Sequence, residues 1–174
     1  MVRYVHHQLA VIVEVGVAVA VTAPVVFGVR GLPQADSEKA LLALYFIGAV
    51  GFSGLLAIST RSRWLGGEKY RFESIVSLTD PEAILPTPHE SMRRSFDGLF
   101  VVHIALLSLV FGLLWDPWGI AWGLGLIPDR IVMGVYVFFW ERRHGILLWY
   151  GNVEEQPLGK GQFFYSSPRF STPG

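Results

Sequence analysis

The sequence predicts an all-α integral membrane protein: a bundle of four transmembrane helices, both termini on the cytoplasmic side, with an inner loop and an extended C-terminal tail. Three observations carry that expectation. Apolar residues make up 52% of the 174-residue chain and charged residues only 16%, whereas soluble domains carry about a quarter charged residues. Mean hydropathy is +0.44. Four apolar stretches each approach the roughly 20 residues that a bilayer-crossing helix needs. The 14 Lys and Arg are balanced by 14 Asp and Glu, which argues against a nucleic-acid module, since that needs a basic face. There is no cysteine, so disulfides, thiolate metal sites and thiol catalysis are excluded too.

The first span covers residues 9–29 and is interrupted by Glu14, Thr22 and Pro24. Ala18-Val19-Ala20 resembles a signal-peptide cleavage site. The apolar run continues past it, however, and an uncleaved span is expected. Gly31-Leu32-Pro33 breaks the chain, and Asp36-Ser37 caps a second span over 40–59 that carries no charge. The third span covers 98–115 and holds His103. Thr87-Pro88-His89-Glu90 reads as a capping box with Pro at the first helical position. That signal starts the third helix near Pro88, ahead of the apolar run. Asp116-Pro117 gives a short turn that makes spans three and four antiparallel neighbours. The fourth span, 118–140, contains Pro128, Asp129 and Arg130. Pro128 is expected to kink it; the alternative is a re-entrant half-helix over 118–127 with a new helix from Asp129. Residues 1–144 thus form one membrane domain.

Charge placement orients the spans. Arg3, Arg61, Arg63, Lys69, Arg71, Arg93, Arg94, Arg142, Arg143, Lys160 and Arg169 fall on one side, and only Arg30 and Lys39 on the other. The positive-inside rule puts both termini inside. Within the inner loop, 61–97, Phe72, Ile75, Val76 and Leu78 suit a short surface helix. The tail, 145–174, is rich in Gly, Pro and aromatics, and Phe163, Phe164, Tyr165 and Phe170 need a surface to cover them. That surface is either this chain's own loop and the lipid headgroups, or a partner protein.

Association of helices in lipid relies on small residues. Gly16 and Ala20, then Ala49, Ser53 and Ala57, then Ser108 and Gly112, then Gly119 and Gly123 are spaced for it. Glu14, His103, Asp129 and Arg130 are the intramembrane polar residues. Each charge at bilayer depth costs about 2.5–3.5 kcal/mol on insertion scales. At about 1.5 Å per residue, Glu14 and His103 both lie about 7 Å inside their spans, and Arg130 lies about 15 Å from Trp140. An inner cluster that fixes helix register is expected, with a proton or solute path as the alternative. A haem would need two facing axial histidines, and His103 alone lies within a span, with His6 and His7 at the inner edge of the first. Haem or quinone therefore stays a minor alternative, and no cofactor or metal is predicted.

No Walker loop, dinucleotide fingerprint, H-E-x-x-H or G-x-S-x-G is present. The functional expectation is a non-catalytic accessory or assembly subunit, with the bilayer and other membrane subunits, or further copies of itself, as partners. The alternatives are an oligomeric transporter or channel subunit, or a redox subunit using His103. The orientation has its own test. The chain lacks cysteine, so single cysteines report cleanly. In intact cells an impermeant maleimide should label Ser37→Cys and leave Ser62→Cys unlabelled until lysis. The reverse pattern would invert the topology.

Overall fold

The computed structural model describes residues 1–34, 38–59, 72, 75–78, 81, 85–151 and 164–168, with the side chains of 57–59 left aside. It is mostly helical. In chain order it contains β1 (Val2–Arg3), α1 (Tyr4–Arg30), α2 (Glu38–Ser59), β2 (Val76–Ser77), α3 (Pro88–Ser95) and α4 (Gly98–Leu114). A 3-10 turn (Pro117–Ile120), α5 (Ala121–Leu124), α6 (Leu126–His144), β3 (Ile146–Tyr150) and β4 (Phe164–Pro168) complete it. Four helical segments are long and apolar enough to cross a membrane: Tyr4–Arg30, Glu38–Leu56, Pro88–Leu114 and Pro117–His144.

The helices form a bundle that is open on one side. α1 packs against α4 on one flank and α6 on the other, and α6 packs in turn against α2. α2 and α4 therefore lie at the two ends of a row. The expectation that the third and fourth spans are neighbours holds over the first turns of the fourth. α4 packs on the 3-10 turn and α5, and α6 lies between α1 and α2. α5 and α6 are separated at Gly125, whose backbone stays in the right-handed helical region (φ −59°, ψ −24°). Pro128, the third residue of α6, has no N–H to give to the carbonyl of Leu124, so the interruption falls in the turn before it.

The third span also divides. The capping box at Thr87 forms as the sequence predicts: Glu90 N donates to Thr87 Oγ1 at 3.3 Å, and Thr87 N donates to Glu90 Oε2 at 3.2 Å. α3 then ends at an extended Phe96. Asp97 caps a fresh helix, its Oδ1 accepting from Leu99 N at 2.9 Å and Phe100 N at 3.4 Å. α1 in contrast runs unbroken through Pro24 and closes at Gly31, whose φ of 82° reverses the chain.

The all-α expectation is corrected by a four-stranded sheet of order β1-β3-β4-β2. α6 ends at Gly145 in the left-handed region, φ 68°, and the chain turns directly into β3. β3 and β4 pair antiparallel, with Trp149 opposite Tyr165; β1 adds antiparallel to β3, and β2 adds parallel to β4. Residues 75–78 are thus extended rather than a surface helix. Ile75 and Val76 are β-branched and meet the free edge that the tail offers. Phe72 belongs to the core.

Both faces of the sheet are covered. On one, Leu148 and Phe164 pack with Tyr4, Phe72, Met133 and Val137. Tyr4, Phe72 and Phe164 meet edge to face with centroids 5.3–6.1 Å apart, a favoured aromatic geometry. On the other, Trp149 and Tyr165 pack with Leu78, and Trp149 Nε1 donates to Ser167 Oγ at 2.9 Å. Phe164 and Tyr165 are thus buried in this chain's own core. Phe163 and Phe170 lie outside the described residues.

At the opposite end of the helices Asp116 ties two connections. Its Oδ1 accepts from Trp118 N at 3.0 Å and its Oδ2 from Lys39 Nζ at 2.7 Å. Arg30 Nη2 donates to Trp115 O at 3.2 Å, and Trp118 Nε1 to Gln34 O at 3.0 Å. Desolvation at the turn pushes the Asp116 carboxyl up, but Lys39, the Trp118 N–H and Arg30 together outweigh it and hold it below the usual carboxylate range.

Small residues let the segments meet. A Cβ on Gly119 would lie 2.5 Å from Phe111 O, and one on Gly112 would lie 2.7 Å from Val26. Gly16, in contrast, has nothing within 4 Å. Gly119→Ala is therefore expected to destabilise by about 1–3 kcal/mol, because a backbone atom must shift. Gly16→Ala should be neutral or stabilising by up to about 1 kcal/mol. Unfolding of both variants in mild detergent measures the contrast.

Candidate functional site

The four polar residues singled out by sequence do not assemble into one cluster. Glu14 is 2% exposed, and its Oε1 accepts a hydrogen bond from Asp97 N, the capping residue of α4. The carboxylate thus sits at a helix N-terminus, where N–H groups and the helix dipole favour an anion. His103 lies six residues further along α4, about 9 Å by helical rise. Its ring is on the outward face, with Nδ1 2.8 Å from Leu99 O. The shared level expected for Glu14 and His103 is corrected accordingly. α1 starts at Tyr4 and overhangs the start of α4, so matching the two apolar runs by their first residues misaligns them.

Asp129 and Arg130 are neighbours in α6 and approach each other, Nε to Oδ2 at 3.5 Å. Arg130 Nη1 also donates to Gln8 Oε1 at 3.3 Å, and Gln8 is buried on α1. Asp129 lies against α2 at Gly54, where a Cβ would come 3.2 Å from Asp129 Cα. Gly51 does the same for Pro128, at 2.9 Å from its Cβ. The pair therefore cements α6 between α1 and α2. Arg130 and Glu14 share no contact, and each has its own local partner.

The small-residue positions divide in two. Ser108 and Gly112 on α4, with Gly119 and Gly123 on the turn segment, are buried in the bundle. A Cβ on Gly123 would meet Ile104 at 3.2 Å and Ser108 Oγ at 3.4 Å. Gly16 and Ala20 on α1, and Ala49 and Ser53 on α2, face outward. α2 uses Gly51 and Gly54 instead. The side chain of Ala57 lies outside the described residues.

The most developed polar constellation is one that sequence reasoning missed. Glu141, on the last turn of α6, is 2% exposed. It forms an ion pair with Arg3, Arg3 Nε lying 3.5 Å from its Oε1, and accepts from Leu148 N at 2.9 Å. Arg3 N donates to Ser91 Oγ at 2.7 Å, and His6 Nδ1 lies 3.1 Å from the same oxygen. One network thus joins β1, α1, α3, α6 and β3. The only sequence cue was a lone acid, Glu141, beside the basic Arg142-Arg143-His144. A carboxylate at a helix C-terminus is disfavoured by the dipole and needs a dedicated cation.

Chemically this network holds structure. Its carboxylate is occupied by a guanidinium and an amide, its hydroxyl by an amide and an imidazole. Among the described residues no group of three His, Asp or Glu side chains converges on a point that would hold a metal ion.

Removing one partner of a buried ion pair costs about 3–5 kcal/mol. Because Arg3 is partly exposed, the lower end is expected: Glu141→Ala should lose about 3 kcal/mol and loosen the sheet. Arg3→Met with Glu141→Leu should lose less than Glu141→Ala alone. Chemical denaturation with a near-ultraviolet readout of Trp149 packing measures both, and an unperturbed Glu141→Ala protein would remove this network from the fold's stability.

Comparison with protein-family models, with curated proteins and with solved structures finds no match to this chain.

Proposed function

We propose that the chain is an integral membrane protein, oriented with both termini in the cytoplasm, that acts as a non-catalytic accessory or assembly subunit. In this reading α1 offers its uncovered face to a helix of a neighbouring subunit. The observation that carries it is the shape of that face. Leu9, Val13, Val17, Val21, Val25 and Val29 recur at every fourth position and are all exposed. Beside this ridge run Gly16, Ala20, Pro24 and Gly28, also outward and also four apart, and nothing lies within 4 Å of where a Cβ on Gly16 or Gly28 would stand. A ridge on the i±4 row next to a groove on the adjacent row is what a second helix needs for close approach. The helix at the centre of this bundle thus keeps half its circumference for something outside it.

The two alternatives lose the feature that motivated them. A transport path through Glu14, His103, Asp129 and Arg130 needs them on one route, and they lie in separate local contacts. A redox role for His103 has no facing histidine among the described residues of the bundle interior, since its ring turns outward.

In mild detergent the particle should exceed one 19.4 kDa chain and its detergent belt. Gly16→Leu with Ala20→Leu should shift it to the single chain while leaving the melting transition in place. A monodisperse single chain with no co-purifying protein in the unsubstituted form would overturn the assembly role.

A further inference from the structure

We propose that the cavity between α2 and the turn that follows α4 binds one acyl chain of a phospholipid, with the headgroup phosphate on Arg30. The proposal rests on the membrane-spanning reading above and goes beyond it by assigning a ligand to a site in this chain.

The cavity is a half-open hollow of about 410 Å³, within the range of small-molecule sites. Leu42, Ala43 and Phe46 of α2 form one wall, and Phe111, Trp115 and Trp122 the other. It exists because α2 follows α6 while α4 follows α1, so the two walls belong to helices at opposite ends of the row. Its floor is Gly119 and Ala121, too small to fill it.

The lining is almost wholly apolar. Water needs two to four polar partners to occupy a cavity, and none are provided. An alkyl chain asks only for apolar contact. Its lining comes from α2 on one side and from α4 and the turn after it on the other, and in the membrane-spanning reading lipid surrounds these helices. Trp115 and Trp118 of the lining stand next to the basic residues: Arg30 donates to Trp115 O, and Lys39 to Asp116 between the two indoles in sequence. Indoles favour the headgroup layer.

Charge beside these indoles selects the phosphate. Lys39 Nζ is held by Asp116 at 2.7 Å. Arg30, at the exposed end of α1, gives one N–H to Trp115 O, on the cavity wall. A guanidinium has five N–H donors, so Arg30 can hold that carbonyl and a phosphate together. The wall and the cation are thus coupled through one residue, Trp115, and a lipid seated there satisfies both.

The test is lipid retention. Full-length protein extracted from membranes in mild detergent is washed until bulk phospholipid is removed, and then analysed intact by native mass spectrometry with phosphorus assay. One phospholipid per chain should remain. Ala43→Phe and, from an exposed lining position, Leu42→Trp should each abolish retention. Arg30→Gln should weaken it about tenfold, as loss of one charge-assisted hydrogen bond does. Val135→Phe, at an exposed position of α6, should retain lipid. Melting curves check that each variant is folded.

Absence of retained phospholipid in the unsubstituted protein overturns the proposal, as does equal retention in folded Ala43→Phe and Leu42→Trp. A retained apolar molecule lacking phosphorus overturns the phospholipid assignment. Protein recovered from the soluble fraction overturns the membrane reading itself, whereas membrane-fraction protein without lipid overturns the cavity alone.

Discussion

The buried carboxylate of Glu141 is the constraint on which the arrangement of the chain depends. It stands at the C-terminal turn of α6, where the helix dipole repels it, and it is shielded from solvent. Both conditions demand a cation and a hydrogen-bond donor. Arg3 supplies the first from the start of the chain, and the amide of Leu148 supplies the second from just beyond the helix. Meeting that demand brings β1 alongside β3, and β1 is only two residues long. A strand of that length has little pairing energy of its own, and isolated strand pairs are marginal even when longer. The ion pair is what gives β1 a fixed place. With β1 placed, Tyr4 at the head of α1 enters the aromatic core between Phe72 and Phe164, and α1 is registered against α6.

A second, simpler latch works at the far end. Asp116 caps the 3-10 turn and holds Lys39 at the start of α2, so the two connections on that side are clasped together. Between the latches the helices meet through small residues rather than charges: Gly112 against Val26, Gly51 against Pro128, Gly123 against Ile104. In the membrane-spanning reading proposed above, the division of labour follows from the medium each part faces. Polar networks are strongest where backbone ends already need partners, and the apolar middle depends on closeness of approach. Glu14 fits the same logic. It is a charge inside an apolar helix, yet it lies beside the unsatisfied N–H groups that open α4, so its burial answers a structural need.

The helices were legible in the sequence because their signals are local. Apolar run length, the Thr87-Pro88-His89-Glu90 box and the Asp116-Pro117 turn each act over a few residues, and each is found where it was read. The sheet was not legible, because its strands come from four separated places and two of them are two residues long. Nothing in Val2-Arg3 or Val76-Ser77 alternates over enough positions to register as a strand. The fourth span was partly legible. Pro128 is the conspicuous breaker in sequence, and the interruption falls in the turn before it, at Gly125. Gly125 lies against the ring of Phe46 of α2, 2.5 Å from where a Cβ would stand. On α2 the series Ala49, Ser53 and Ala57 and the pair Gly51 and Gly54 both look like packing ridges. Which one faces α6 depends on where Asp129 stands, and that is not in the sequence of α2.

The open bundle gives these misreadings a common consequence. If the fourth span had been one kinked helix beside the third, four helices would have closed around a shared interior, and polar residues at similar depths would have met there. α6 packs on α1 and α2 rather than on α4, and Glu14 and His103 keep contacts separate from those of Asp129 and Arg130. This packing also leaves two surfaces that a closed bundle would have hidden. One is the valine ridge and glycine groove on α1; the other is the Trp-lined hollow between α2 and the α4 turn. Both are apolar, and each is shaped by glycine at its base. The chain ties both ends of the bundle with dedicated ion pairs and keeps its central helix half uncovered between them. In the reading proposed above, that uncovered surface is where a helix or a lipid chain lies against it.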